Sequence, residues 1–196
     1  MLSVIKERRS IRKYKKDPVS KELIEEILHA GMLAPSSKNR QPWKFIVATG
    51  AAKAEAVKVM REGLIREKEN PLLPDSAQYI GGAEYTVRIM EQAPVIIFIV
   101  NSLGMDVHTA LNPEERIFEV CNAQSIGAAI ENMALTATDL GLGSLWICDT
   151  YFAYEELCGW LGKDAELFAA MAVGYADESP SARPRKRGEE IIEWRD

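Results

Sequence analysis

The chain has 196 residues, 47% of them hydrophobic and 27% charged, with 24 basic against 29 acidic side chains and a formal net charge of −5. That length and balance describe one folded domain with a real core, and they exclude a disordered chain or one basic throughout for nucleic acid. The longest strongly apolar run, Val95 to Val100, falls far short of the ~20 residues a membrane span needs, and the start MLSVIKERR is too weakly apolar for a signal peptide. The reading is a soluble cytoplasmic protein with neither a nucleic-acid nor a membrane partner.

The first dense feature is RRSIRKY, residues 8 to 14. Seven of the eleven residues from Lys6 to Lys16 are basic in a chain that is acidic overall. Ser20 then reads as the N-cap of a helix of about three turns, with Leu23, Ile24, Ile27, Leu28 and Met32 as its apolar stripe and Pro35 as its stop. PSSKNRQPW, residues 35 to 43, is a polar stretch between prolines. KFIVAT, residues 44 to 49, predicts a strand running into Gly50. Ala51 to about Lys68 predicts a surface helix with Ala54, Val57, Met60 and Leu64 on its inner side. Residues 70 to 83 carry two prolines and two glycines and read as a loop, followed by a shorter helix around Tyr85 to Glu91.

PVIIFIVN, residues 94 to 101, is apolar on both faces and predicts a central, doubly buried strand. Asn112-Pro113 introduces the longest helix, roughly Glu114 to Leu140. Ile126, Ile130, Met133, Ala137 and Leu140 recur there at spacings of four and three, and small residues cover the other faces. Such a helix is buried on more than one side, in the core or against a second subunit. LWIC (145 to 148) predicts a short strand, TYFAYEELCGWLG a turn and short helix, and LFAAMAVGY (167 to 175) another buried strand. Residues 177 to 188 are polar and Pro-rich, with a second basic cluster at Arg183, Arg185, Lys186 and Arg187. EEIIEWRD ends the chain as a short ordered tail. Helices with few, separated strands give a single α+β domain over 1–196.

The three cysteines are irregularly spaced, which fits reduced thiols, and the two histidines lack ligand spacing, so no metal site is expected. Charge alone reads the basic start as a solvated face, a targeting patch or a nucleic-acid footprint. The chemistry of the residues adds a fourth reading, a phosphate site, because arginine forks match phosphate oxygens and serine adds a short hydroxyl donor. R-P-R at 183 to 185 could complete it, although the sequence does not say that the clusters meet. Ser36, Ser37, Asn39 and Gln41 either bond their own loop backbone or serve a polyhydroxy chain or heterocycle. GLGS, 141 to 144, is neither a dinucleotide fingerprint nor a phosphate loop nor a nucleophile elbow.

In order along the chain, R-R-S-I-R-K-Y, P-S-S-x-N-x-Q-P-W, a buried helix ending in L-G-L-G-S-x-W-I, and R-P-R resemble the nitroreductase family of flavoproteins over nearly the whole sequence. The resemblance implies a nitroreductase-like α+β fold: a mostly antiparallel central sheet flanked by helices, in an intertwined homodimer. FMN would sit at the subunit interface, with NAD(P)H as electron donor and a small-molecule acceptor. It implies that Arg8, Arg9 and Ser10 bind the FMN phosphate and ribityl region, and that Arg12 lies near the pyrimidine edge of the ring. Pro35, Ser36, Ser37 and Asn39 would reach the flavin held mainly by the other subunit. Gly143, Ser144, Trp146 and Ile147 would pass beside the ring, and Arg183 and Arg185 would close on the phosphate. No side-chain catalytic residue is implied.

The resemblance implies an oxidoreductase that serves nitroaromatics, quinones or related conjugated acceptors by alternating use of one site. Two alternatives are a specialised member of the family, of the dehalogenase or flavin-consuming type, and a non-catalytic flavin-binding sensor. Cys148 follows W-I where many members have Gly; as a free cysteine it is expected in the core. In the family the region matching residues 62–92, with neighbouring loops, shapes the substrate pocket.

Overall fold

The computed structural model describes residues 1–162 and 166–195. In chain order the elements are α1 (Ser3–Glu7), α2 (Lys21–Met32), β1 (Trp43–Thr49), α3 (Gly50–Glu69), α4 (Ile80–Gln92), β2 (Val95–Asn101), α5 (Pro113–Asp139), β3 (Gly143–Ile147), α6 (Tyr154–Leu161), β4 (Leu167–Gly174) and α7 (Gly188–Ile191). Short 3-10 turns span Ser37–Asn39, Pro74–Tyr79 and Asp149–Ala153.

Strand β2 explains the architecture. All seven of its residues are buried, because helices cover both sheet faces and the strand reads as a continuous apolar run. Successive side chains point to opposite faces. Ile96 and Phe98 enter a core shared with α3, α4 and α6. Val95, Ile97 and Ile99 enter a second core shared with α2 and α5. The four strands lie in the order β1-β2-β4-β3, and every pair is antiparallel. The expected α+β architecture, an antiparallel sheet flanked by helices, is the one found. Each fully buried Ile or Phe contributes about 2 kcal/mol, so β2 is the part of the sheet least tolerant of truncation.

Local signals fix the helix ends. The Ser20 side chain accepts the Leu23 N–H at the start of α2. Asn112 and Glu115 form a reciprocal capping box at the start of α5, with Pro113 in its first turn.

Four expectations need correction. Residues 70 to 83 are not a plain loop: a 3-10 turn covers Pro74–Tyr79 and α4 already begins at Ile80. The glycine pair hid it; a Cβ at Gly81 or Gly82 would meet nothing within 4 Å, so the pair costs helix propensity without serving packing. Ala54 is exposed, since burial on α3 begins only at Ala56. Met32 is 55% exposed; Gly31 takes the inner position of that turn, where a Cβ would lie 2.8 Å from Cγ of Met133. The tail has only the one-turn helix α7 and is exposed along its described length; Asp196 lies outside the described residues.

Candidate functional site

The segment after α1 runs alongside β3 and past the end of β4. The Ile11 N–H donates to the Ser144 carbonyl at 2.9 Å, the Lys15 N–H to Tyr175 at 2.9 Å, and the Asp177 N–H to Lys13 at 2.9 Å. Tyr14 is buried, and its hydroxyl donates to the Ile11 carbonyl at 2.9 Å with the Ala172 carbonyl at 3.3 Å. Burial, reinforced by Glu178 and opposed by Arg12, pushes its phenol well above the usual range. Gly143 is required by this crossing: a Cβ there would lie 2.8 Å from Cγ1 of Ile11. Buried Ile11 and Tyr14 thus moor RRSIRKY to the sheet and leave its arginines at the β3 edge.

There the two basic clusters meet. A cleft of about 480 Å³ is lined by Lys6, Arg8, Arg9, Arg12, Arg183 and Arg185, together with Ser10, and among the described residues its lining has no acidic side chain. Arg8, Arg9, Ser10 and Arg12 are half-buried, while Arg183 and Arg185 are exposed. Like charges at this density repel one another unless an anion sits between them. Some donors are already engaged. Arg9 Nη1 donates to the Lys6 and Arg8 carbonyls at 2.6 and 2.8 Å, closing the end of α1. Arg12 Nη1 donates to the Ser10 carbonyl at 3.2 Å. Arg8 Nε lies 3.5 Å from Glu131 Oε1 on α5.

The other expected residues fall in two places. Side chains of β3 alternate, so Leu145 and Ile147 enter the α3–α4–α6 core, while the Trp146 indole lies near Gly127 of α5. Ile147 therefore offers only its backbone to a ligand at this edge. Ser144 is buried, and Trp146 is 39% exposed. Pro35, Ser36, Ser37 and Asn39 do not line the basic cleft of their own chain. Their loop docks on α5 through the Ser37 N–H, which donates to Ser125 Oγ at 3.2 Å. The Ser36 hydroxyl accepts the Gln41 N–H at 3.0 Å, so that side chain does serve its own loop. Lys38, Asn39 and Gln41 hold φ of 53°, 52° and 47°, a left-handed conformation that is costly for Lys and Gln and clusters at functional sites.

Cys148 corrects an expectation. It is exposed rather than in the core, because β3 is an edge strand and ends one residue earlier. Partial desolvation, then the neighbouring Asp149 carboxylate, pushes its thiol up, so it stays protonated at neutral pH. The turn that follows is clamped from below. Thr86 Oγ1 donates to Asp149 Oδ2. Arg66 donates to both Glu156 oxygens at 2.9 and 3.1 Å and pairs with Glu67, which is 1% exposed and also accepts the Leu72 and Leu73 N–H groups. Residues 62–92 line a groove of their own between α3 and α4 and none of them lines the basic cleft.

Sequence reasoning missed Glu178, which accepts the Arg12 main-chain N–H, and Glu131, the partner of Arg8. Neither carries a local signal. It also missed Ser125, whose burial on α5 with its hydroxyl donating to the Cys121 carbonyl at 2.7 Å holds it ready for Ser37. Among the described residues no helix is long and apolar enough to cross a membrane.

The sequence pattern of the nitroreductase family matches residues 5–175. A protein of Archaeoglobus fulgidus, named as an NADH dehydrogenase/NAD(P)H nitroreductase, is 31% identical over 179 residues, covering 89% of this chain and 84% of its own. A protein of Haemophilus influenzae, named as an NAD(P)H nitroreductase, is 27% identical over 99% of this chain and 96% of its own. The crystal structure of a nitroreductase from Desulfovibrio desulfuricans in complex with FMN matches with a TM-score of 0.72 at 27% identity, over 99% of this chain and 96% of that one. From its sequence and its fold alike, the chain belongs to the nitroreductase family.

Proposed function

We propose that the protein is an FMN-dependent oxidoreductase that takes electrons from NAD(P)H and passes them to small conjugated acceptors such as nitroaromatics or quinones, the donor and the acceptor using one site in turn. The observation that carries this reading is the basic cleft: six cations from opposite ends of the chain converge beside β3, with no acid in the lining among the described residues. A phosphate monoester fits that donor set, since several guanidinium forks can each give paired N–H bonds to its oxygens.

Arg8, Arg9, Ser10, Arg183 and Arg185 would hold the phosphate and ribityl end of FMN, and Arg12 would stand at the pyrimidine edge. When bound, the flavin supplies the two-electron chemistry between donor and acceptor. The chain's own part is to position and to stabilise charge. Arg12, fixed by its bond to the Ser10 carbonyl, would offset negative charge on the reduced ring. The β3 backbone from Gly143 to Ile147 would flank the ring and keep water from that side. No side chain is assigned as an acid, base or nucleophile.

The protein is proposed to work as a homodimer in the cytoplasm, with Pro35, Ser36, Ser37 and Asn39 reaching the flavin of the other subunit. Exposed Leu33 beside that loop, Ile117 and Val120 on α5, and Ile191, Ile192 and Trp194 on the tail support a second copy covering them. The test is anaerobic mixing of the purified yellow protein with NADH and with NADPH. Bleaching by either nucleotide, followed by recovery of colour on adding a nitroaromatic or quinone, is expected. A protein that takes up no FMN, or one whose flavin neither nucleotide reduces, would overturn the reading.

A further inference from the structure

A second cleft opens at the far end of β3 from the basic one. It holds about 340 Å³, at the small end of ligand pockets and enough for one or two fused rings. One wall is the turn after β3 and the first turn of α6. Tyr151 and Tyr154 stack there with ring centroids 5.8 Å apart and planes 15° apart, and His108 meets Tyr154 edge-on at 6.4 Å. The N-terminal half of α5 forms the opposite wall. Residues 102 to 112 bring Met105 and Val107 to the rim, with Val107 56% exposed.

The cleft lies just past the end of the strand that flanks the proposed flavin. The Tyr151 N–H donates to the Cys148 carbonyl at 3.2 Å, so this wall is tied to the residue next after β3. On the other side, Ala123 lines the cleft one turn of α5 before Gly127, where the Trp146 indole lies.

Its charge is the reverse of the basic cleft. The lining carries three carboxylates, Asp106, Glu119 and Glu166, against one guanidinium, Arg116. The carboxylates are held in position. Asp106 accepts the His108 N–H at 2.7 Å, Glu119 accepts from the amides of Asn101 and Asn122 at 3.2 and 3.4 Å, and Glu166 accepts from the Tyr154 hydroxyl. Fixed like charges in a concave site repel an anionic ligand more than mobile surface charges do. A flat uncharged ring keeps the stacking surface, and Arg116 can donate to a nitro or quinone oxygen.

We propose that this cleft is the acceptor site and that it selects uncharged planar acceptors of one or two rings over anionic ones. This rests on the flavoenzyme reading above, because an acceptor has to lie against the ring that β3 flanks; NAD(P)H, itself an anion, would share the cleft through its uncharged dihydronicotinamide ring alone, with its phosphates outside.

The test titrates the oxidised holoenzyme, without nucleotide, with naphthoquinone and with naphthoquinone sulfonate. At about 0.02 M salt the neutral quinone is expected to bind about tenfold more tightly, and at about 0.5 M salt most of that preference should vanish through screening. Asp106→Asn, which keeps an oxygen for the His108 N–H, should narrow the low-salt preference about twofold. Tyr151→Ala should weaken the neutral quinone about fivefold. Equal affinities for the two quinones, a preference indifferent to salt and to Asp106→Asn, or full quinone affinity in Tyr151→Ala would each overturn the proposal. Because the readout is binding, the two readings fail separately. A flavin-free protein that still prefers the neutral quinone keeps the cleft and loses the flavoenzyme; a reducible yellow protein without the preference does the reverse.

Discussion

Among the described residues, six cations and no acid face a cleft at one end of β3; at the other end three carboxylates and one guanidinium do. The two sites also differ in how they are built. The basic cleft joins residues 8–12 to residues 183–185 through main-chain bonds such as Ile11 to Ser144 and Asp177 to Lys13, with arginines left on its rim. The acidic cleft stands on a wall clamped from behind by an ion-pair network in which half-buried Arg66 holds half-buried Glu156 and buried Glu67. The difference teaches that a net charge of −5 says little about a site: the chain sorts its charges along one strand, cations at one end and carboxylates at the other.

The comparison breaks most sharply at the clamp. Arg66→Met leaves Glu67 buried without its ion pair, and removing one partner of such a pair costs about 3 kcal/mol. We expect the urea midpoint to fall accordingly, and naphthoquinone binding to weaken well before FMN retention does. Equal loss at both sites would mean that they are not separately supported.

Gly143→Ala strikes the other site. Its methyl meets Ile11, which main-chain bonding holds in place, at a cost of about 2 kcal/mol. FMN affinity should fall while the Tyr151 wall stays intact. Tyr14→Phe is a milder version. It removes the hydroxyl bond to the Ile11 carbonyl and costs about 1 kcal/mol, measured by thermal unfolding with and without FMN.

The smallest expected effect is in pH. Burial pushes the Glu156 carboxyl up, but the hydrogen bond from Arg66, a main-chain bond and the Arg66 charge hold it below its ordinary 4.5. A carboxyl lowered by folding stabilises the native state above its ordinary value, and that contribution is lost as pH falls through the lowered one. The difference in urea midpoint between the wild type and Glu156→Gln should therefore be present near neutrality and close as the pH drops below 4.5. A gap that persists in acid would remove the ion pair from the account of this wall.

Much of the basic cleft was legible in the sequence, because its donors come in two short runs, RRSIR and RPR, whose residue types point to phosphate before any contact is known. The strand VIIFIVN was legible for a similar reason: a run apolar on both faces has one stable home, between two helical layers. The acidic cleft was not legible. Asp106, Arg116, Tyr151 and Glu166 are scattered over four segments, and only the folded sheet brings them together. Cys148 was misread because cysteine burial is a tendency of the residue type, whereas its exposure follows from β3 being an edge strand. Residues 62–92, associated with the substrate pocket through the family resemblance, line neither cleft; their groove lies between α3 and α4.

The central claim is that Arg8 and Arg185 belong to one phosphate site. The direct test titrates the flavin-free protein with FMN and with riboflavin, which differ by the phosphate alone, in the wild type and in the Arg8→Ala/Arg185→Ala variant. Two lost charge-assisted contacts correspond to about a hundredfold in affinity. The wild type should prefer FMN by at least about that factor, and the variant should lose most of the preference while keeping its riboflavin affinity and its fold. Equal affinities for FMN and riboflavin in the wild type, or an FMN preference unchanged in the variant, would contradict the account.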